Sequence, residues 1–140
     1  MLIEQGDFLW GMDRAFIKDF MALSAKVHFK KETIIFREGD KADYFYTLVE
    51  GQVSLSTGEP PKEIYIIGKS GESFGWSSLV DRNYYSATAK CLEASHLLQF
   101  EKNDLNRLLL RNVENGLTFY KRLAGMLGHR LVQCYKLINP

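Results

Sequence analysis

Residues 71–89, GESFGWSSLVDRNYYSATA, hold the residue types best suited to gripping a small ligand. Gly71 and Gly75 punctuate a turn, and Ser77, Ser78 and Ser86 add hydroxyls. The segment reads as a turn, a short helix start, a loop and a strand. That order aims several backbone N–H groups at one place, and such a concave array holds an anion without a cationic side chain. Phe74, Trp76, Tyr84 and Tyr85 are interleaved with the serines. Apolar walls with a few placed polar groups also describe a small-molecule pocket.

Other chemistries find less support. His28, His96 and His129 stand isolated along the chain, whereas a barrel metal site needs two close histidines, a third on a later strand and a carboxylate. No Ser/His/Asp or Cys/His arrangement is legible, so the chain is read as non-catalytic. An iron–sulfur cluster wants about four cysteines, and only Cys91 and Cys134 are present. Haem ligation through His96, His129 or Cys91 stays open, and the colour of the purified protein decides it.

Composition sets the outer bounds. With 140 residues, the chain has the length of one domain. A net charge of +1 gives no electrostatic footprint for nucleic acid or an anionic membrane. No apolar run approaches the ~20 residues that cross a bilayer. The opening MLIEQGDFLW lacks a basic segment followed by an apolar one, so no signal peptide is read. Two cysteines without a framework fit a reducing, cytoplasmic setting.

Three textures divide the chain. Residues 1–24 form an N-terminal helical region in which Phe8, Met12, Phe16 and Phe20 recur at steps of four, with Ile17 and Met21 beside them. Residues 25–101 carry short apolar or alternating runs: Val27–Lys30, Thr33–Arg37, Tyr44–Val49, Gln52–Ser56, Glu63–Gly68, Ser86–Cys91 and His96–Phe100. Gly-containing turns separate them, as in Glu38-Gly39-Asp40 and Glu50-Gly51. Many short strands at regular spacing predict an antiparallel sandwich or barrel. Residues 102–140 return to helical spacing. Asn103 or Asp104 is expected to cap a helix through Asn112, and a longer helix runs from about Val113 to Ile138.

The long helix carries a heptad. Leu117, Ala124, Leu131 and Ile138 share one seam position, and Tyr120, Leu127 and Cys134 share the other. That alternation predicts a homodimer through this helix. Leu123, Met126 and Leu137 widen the apolar stripe, so part of the helix is expected to face its own domain. Gly125 and Gly128 cost about 1 kcal/mol each against alanine, which suggests close approach of a backbone or ligand. Cys134 reads as a small apolar seam residue, with a cross-chain disulfide as the alternative.

Helix, strand roll and two closing helices together resemble the sensor domain of catabolite-activator-type regulators, in the cyclic-nucleotide-binding family. Ile35-Phe36-Arg37-Glu38-Gly39-Asp40 looks like that family's early strand and turn. Tyr44–Leu48 with Glu50-Gly51-Gln52-Val53 looks like its central hairpin, and Gly71-Glu72-Ser73-Phe74-Gly75 like the lead into its phosphate-binding cassette. The resemblance covers nearly the whole chain. It implies a mainly β fold with flanking helices: an antiparallel β-roll or jelly roll, cupin-like, in a single domain over residues 1–140.

It also implies a site. The family cassette runs Phe-Gly-Glu, then about eight residues, then Arg and two small residues. Its backbone amides and Arg take the cyclic phosphate, and its Glu takes the ribose hydroxyl. Here Phe74 and Gly75 are kept, Trp76 stands at the Glu position and Tyr85 at the Arg position by count, and Ser86 and Ala87 match the small pair. The two departures together remove about 3–6 kcal/mol, or roughly two to four decades of affinity. They argue against cyclic AMP and cyclic GMP, although Arg82 lies three residues earlier and can be pictured swinging inward.

The candidate ligand-binding residues are therefore Phe74, Gly75, Trp76, Ser77, Ser78, Tyr85, Ser86 and Ala87, with a cyclic nucleotide or another small anionic or aromatic ligand as the effector. The expected function is a non-catalytic sensory module. Its alternatives are an unliganded dimeric interaction module and the sensor part of a transcription regulator that continues into a helix-turn-helix. The amino end looks natural and the carboxyl end does not settle the matter. Direct DNA binding by residues 1–140 is not expected, for want of a recognition helix or basic face.

Overall fold

A computed structural model describes Leu9 and residues 11–140. The expected N-terminal helix narrows to α1, Arg14–Leu23, and Phe8 of its aromatic series lies outside the described residues. α1 ends at Ser24, whose N–H and Oγ both donate to the Met21 carbonyl. Eight strands follow: β1 Ala25–Phe29, β2 Ile34–Phe36, β3 Tyr44–Glu50, β4 Val53–Thr57, β5 Lys62–Ile67, β6 Ser73–Phe74, β7 Thr88–Cys91 and β8 Ser95–Glu101. A 3-10 turn, Trp76–Leu79, separates β6 from β7, and the chain closes with α2 Lys102–Arg111 and α3 Val113–Ile138.

All pairings are antiparallel, in two four-stranded sheets ordered β1-β8-β3-β6 and β2-β7-β4-β5. The expected β-roll with flanking helices is thus the observed fold, as open sheets and not a closed barrel. Side-chain alternation along β3 and β8 explains how the layers stack. Tyr46, Leu48 and Leu97 point into a core shared by both sheets, with Phe36, Val53, Ile67, Phe74, Tyr85 and Cys91. Phe45, Leu98 and Phe100 point the other way, into a core built with Phe16, Phe20, Leu105, Leu108 and Phe119 of the helices. Phe20 meets Phe100 at 4.4 Å between ring centroids, and Phe119 of α3 meets Phe45 at 5.9 Å.

Several sequence expectations need correction. The cap of α2 is Glu101, whose carboxylate accepts the N–H groups of Asn103 and Asp104 at 3.1 and 3.0 Å. Asn103 and Asp104 cannot cap because β8 runs straight into α2 and places them in its first turn. Outside their own stretch of helix, Gly125 and Gly128 have no atom of the described residues within 4 Å of where a Cβ would stand, so no described backbone comes close to them. That role falls to Gly116, where a Cβ would come 2.5 Å from the Leu109 carbonyl oxygen at the α2–α3 crossing. Leu137 is exposed, not turned to its own domain, because the last turns of α3 run clear of the roll. The three histidines are not all isolated: the β1–β8 register pairs His28 with His96, their rings 3.8 Å apart. Among the described residues no three His, Cys, Asp or Glu side chains gather as a metal site, and no helix is long and apolar enough to cross a membrane.

Candidate functional site

The cassette begins where β6 pairs with β3 through Phe74↔Tyr46 and Ser73↔Thr47. Gly75 then turns the chain with φ +82°, and a Cβ there would come 2.8 Å from the Tyr44 carbonyl oxygen. Only glycine takes both that conformation and that contact without strain. Left-handed Gly75 followed by the right-handed 3-10 turn makes a small concave run of backbone N–H groups. The turn is fastened from inside by Ser78, whose N–H and Oγ both donate to the Gly75 carbonyl, at 3.1 and 2.7 Å.

The candidate residues do not converge on one cavity. Phe74 is buried in the roll core, stacked on Tyr46 at 5.3 Å between centroids. Ser77 and Ser78 are buried members of the 3-10 turn itself. Trp76 leaves the roll and packs half-buried against the helical core, with the Arg82 guanidinium 5.8 Å from its ring centroid. Tyr84 is exposed, whereas Ser86 and Ala87 are half-buried ahead of β7.

Tyr85 is the most constrained member. Its ring stacks on Phe36 at 3.6 Å, nearly parallel. Its hydroxyl donates to the Tyr44 carbonyl at 2.7 Å and accepts the Tyr44 N–H at 3.1 Å. Its own backbone bonds the Glu-Gly-Asp turn, with N–H to the Asp40 carbonyl and carbonyl to the Gly39 N–H. Burial pushes the phenol's pKa well above its ordinary value, so Tyr85 is a neutral group at any physiological pH.

A second concavity lies beside the cassette and was not legible in the sequence. It has a volume near 1040 Å³ and runs between β5, the Gly71-Glu72 lead and the middle of α3. Tyr65, Ile66 and Met126 give it apolar wall, and Lys69, Lys121, Arg122 and His129 give it cationic or titratable groups. Glu72 is fixed at its edge: it accepts the N–H groups of Gly68 and Lys69 at 3.1 and 2.8 Å and the Tyr65 hydroxyl at 3.2 Å. Touching Tyr65 and Met126 is Arg130 of α3, only 7% exposed. Its signal in the sequence was phase: Phe119, Leu123, Met126, Leu127 and Arg130 share the inward face of α3, where a cation is out of place.

The predicted dimer seam divides in the same way. Leu117, Ala124, Leu131 and Ile138 are exposed along α3. Leu127 packs half-buried on its own helical core. Tyr120 is tied to its own domain through a hydroxyl bond to the Asn106 side-chain oxygen at 3.1 Å. Cys134 is half-buried, and Cys91 is buried in the roll, where desolvation raises its thiol pKa.

Comparison with known proteins places this geometry. The sequence model of the family described as "Cyclic nucleotide-binding domain" matches residues 26–112, more than half of the chain. A protein of Rhodopseudomonas palustris described as a candidate potassium channel is 27% identical over 115 residues, 82% of this chain but 28% of its own length. A solved structure from Geobacter metallireducens, described as a candidate cyclic nucleotide-binding protein, is 24% identical with a TM-score of 0.78, covering 89% of this chain and 91% of that one. The catabolite activator protein of Thermus thermophilus is 24% identical with a TM-score of 0.77, covering 95% of this chain and 62% of that one. The chain thus spans under a third of the channel-like relative and under two thirds of the activator.

Proposed function

This chain belongs to the cyclic nucleotide-binding domain family, and from that premise we propose that it is a non-catalytic sensory module whose cassette no longer takes cyclic nucleotides. One observation carries the reading: Tyr85 stands where the cassette arginine is expected, neutral, stacked on Phe36 and bonded at its hydroxyl to both backbone groups of Tyr44. Such a side chain offers no charge to a phosphate, and turning it out would leave the Tyr44 groups unpaired, a cost of about 1–3 kcal/mol. Trp76 offers an indole where a ribose hydroxyl would seek a carboxylate. The test is thermal unfolding with and without millimolar cyclic AMP or cyclic GMP. A ligand at a hundred times its Kd stabilises by about 2.7 kcal/mol and raises Tm; no shift is expected, and a clear rise would sink the reading.

α3 is the output element in this reading. Its outer face exposes Leu117 at 64% and Leu131 at 51%, an apolar ridge at heptad spacing, and a second copy of this chain fits it with the same ridge. Leu131→Glu would set two like charges against each other across the seam. Sedimentation of that variant should show dimerisation weakened by about two decades, near 3 kcal/mol. A monomeric unmodified protein would remove the seam from the account. Ligand occupancy would act by favouring one placement of α3 against the roll, to the extent of its differential affinity.

The filled cassette equally favours an unliganded interaction module. The cavity beside α3 and the buried arginine against it speak for a ligand instead.

A further inference from the structure

We propose that Arg130 and the cavity between β5, Glu72 and α3 form an anion site, taking a small molecule with a carboxylate or phosphate on a flat apolar body. The inference rests on the sensory reading above and moves the ligand's charged partner from the cassette to the long helix. The first observation is an unpaid electrostatic debt. Arg130 is 7% exposed on the inward face of α3. One Nη donates to the Ser73 carbonyl and also lies 3.4 Å from the Met126 sulfur. The guanidinium carbon sits 5.0 Å from the centroid of the Tyr65 ring, a cation–π contact. Among the described residues, its Nε and its other Nη are buried with no hydrogen-bond partner.

An arginine carries five N–H donors in a planar fork and stays charged in proteins. Burying that charge without an acid is costly, and native structures rarely leave it so. Burial lowers Arg130's affinity for its proton, and the Tyr65 hydroxyl and then the Glu72 carboxylate oppose it. Yet the Glu72 carboxylate is already occupied by Gly68, Lys69 and Tyr65, and it forms none of the ion pairs among the described residues. The open edge of the fork is therefore without its acid.

The second observation is the cavity itself. Tyr65 and Met126, the two side chains lying on the guanidinium, are also wall residues of the 1040 Å³ space. Met126 is unbranched and adaptable, so rotating it opens the fork to the cavity at small cost. Lys69 and Lys121 add positive charge to the lining, and among the described residues Glu72 is its one acid. A carboxylate or phosphate meets the fork through two parallel N–H···O bonds, while its apolar body lies along Tyr65 and Ile66. Bound there, the anion would tie α3 to Ser73, two residues ahead of Gly75, and so join the cassette to the helix.

The experiment follows the Arg130 Nε–H signal by NMR in the whole chain during titration with phenyl phosphate, benzoate and inorganic phosphate, with benzyl alcohol as the uncharged control. Saturable movement of that signal by phenyl phosphate or benzoate, and none by benzyl alcohol, is the expected result. Which of the two anions binds tighter assigns the phosphate or carboxylate class. Inorganic phosphate should bind more weakly than phenyl phosphate, since it lacks the apolar body. Arg130→Met, which removes a buried charge for a side chain of similar length and is followed through the backbone amides of the cavity residues Gly71 and Glu72, should weaken the aryl anion at least tenfold. If neither aryl anion moves the Nε–H signal at millimolar concentration, or if Arg130→Met binds equally well, the site is wrong. Cyclic AMP serves as the separate arm: binding that shifts the amides of Gly75 to Ser78 would overturn the reading of a cassette closed to cyclic nucleotides, whereas silence from every probe would overturn the anion site alone.

Discussion

Phe119→Ala is expected to lower the unfolding free energy by about 3–5 kcal/mol, the range for truncating a buried phenylalanine. Phe119 is fully buried. Its ring lies 5.9 Å from both Phe20 and Phe45, so it joins α3 to α1 and to the helix-facing side of β3 at one point. Truncation leaves a cavity at the junction of three elements that cannot all close inward. Denaturant unfolding of the variant beside the unmodified chain measures the loss. A change below about 1 kcal/mol would mean that α3 does not depend on this contact.

Tyr85→Ala should cost a similar ~3–5 kcal/mol by another route. It removes a buried ring stacked on Phe36 and, with it, the hydroxyl that pairs both backbone groups of Tyr44. Tyr85→Phe separates the two contributions: it keeps the ring and should lose only about 1–3 kcal/mol, the penalty for the unpaired Tyr44 groups. Unfolding curves for the pair give the split directly. If both variants were as stable as the parent, Tyr85 would be a loose occupant of its position and not part of the core.

Much of the roll was legible because its signal is local. The nearly continuous apolar runs Tyr44–Val49 and His96–Phe100 report a sheet buried on both faces, and the Gly turns mark the strand ends. β6 escaped notice because two residues are too few to show alternation. Partnerships between distant residues were illegible for a different reason. Tyr85 bonds Tyr44 across 41 positions, and His28 meets His96 only through strand register. Neither residue type nor spacing encodes such a meeting. Aromatic residues crowd the cassette sequence, but strand direction and helix phase send Phe74 and Tyr85 into the roll, Trp76 to the helices and Tyr84 to solvent. Arg130 was in plain view as a cation among apolar residues of α3, and its meaning depended on knowing which face turned inward.

Calorimetric titration of the purified chain with cyclic AMP, after mass spectrometry shows that no ligand has co-purified, tests the central claim most directly. The account predicts no saturable heat at millimolar nucleotide, because neither the Trp76 nor the Tyr85 position supplies a charge. Saturable binding at low micromolar concentration would contradict it, and would mean that the amides after Gly75, with Arg82 or Arg130, suffice for a cyclic phosphate.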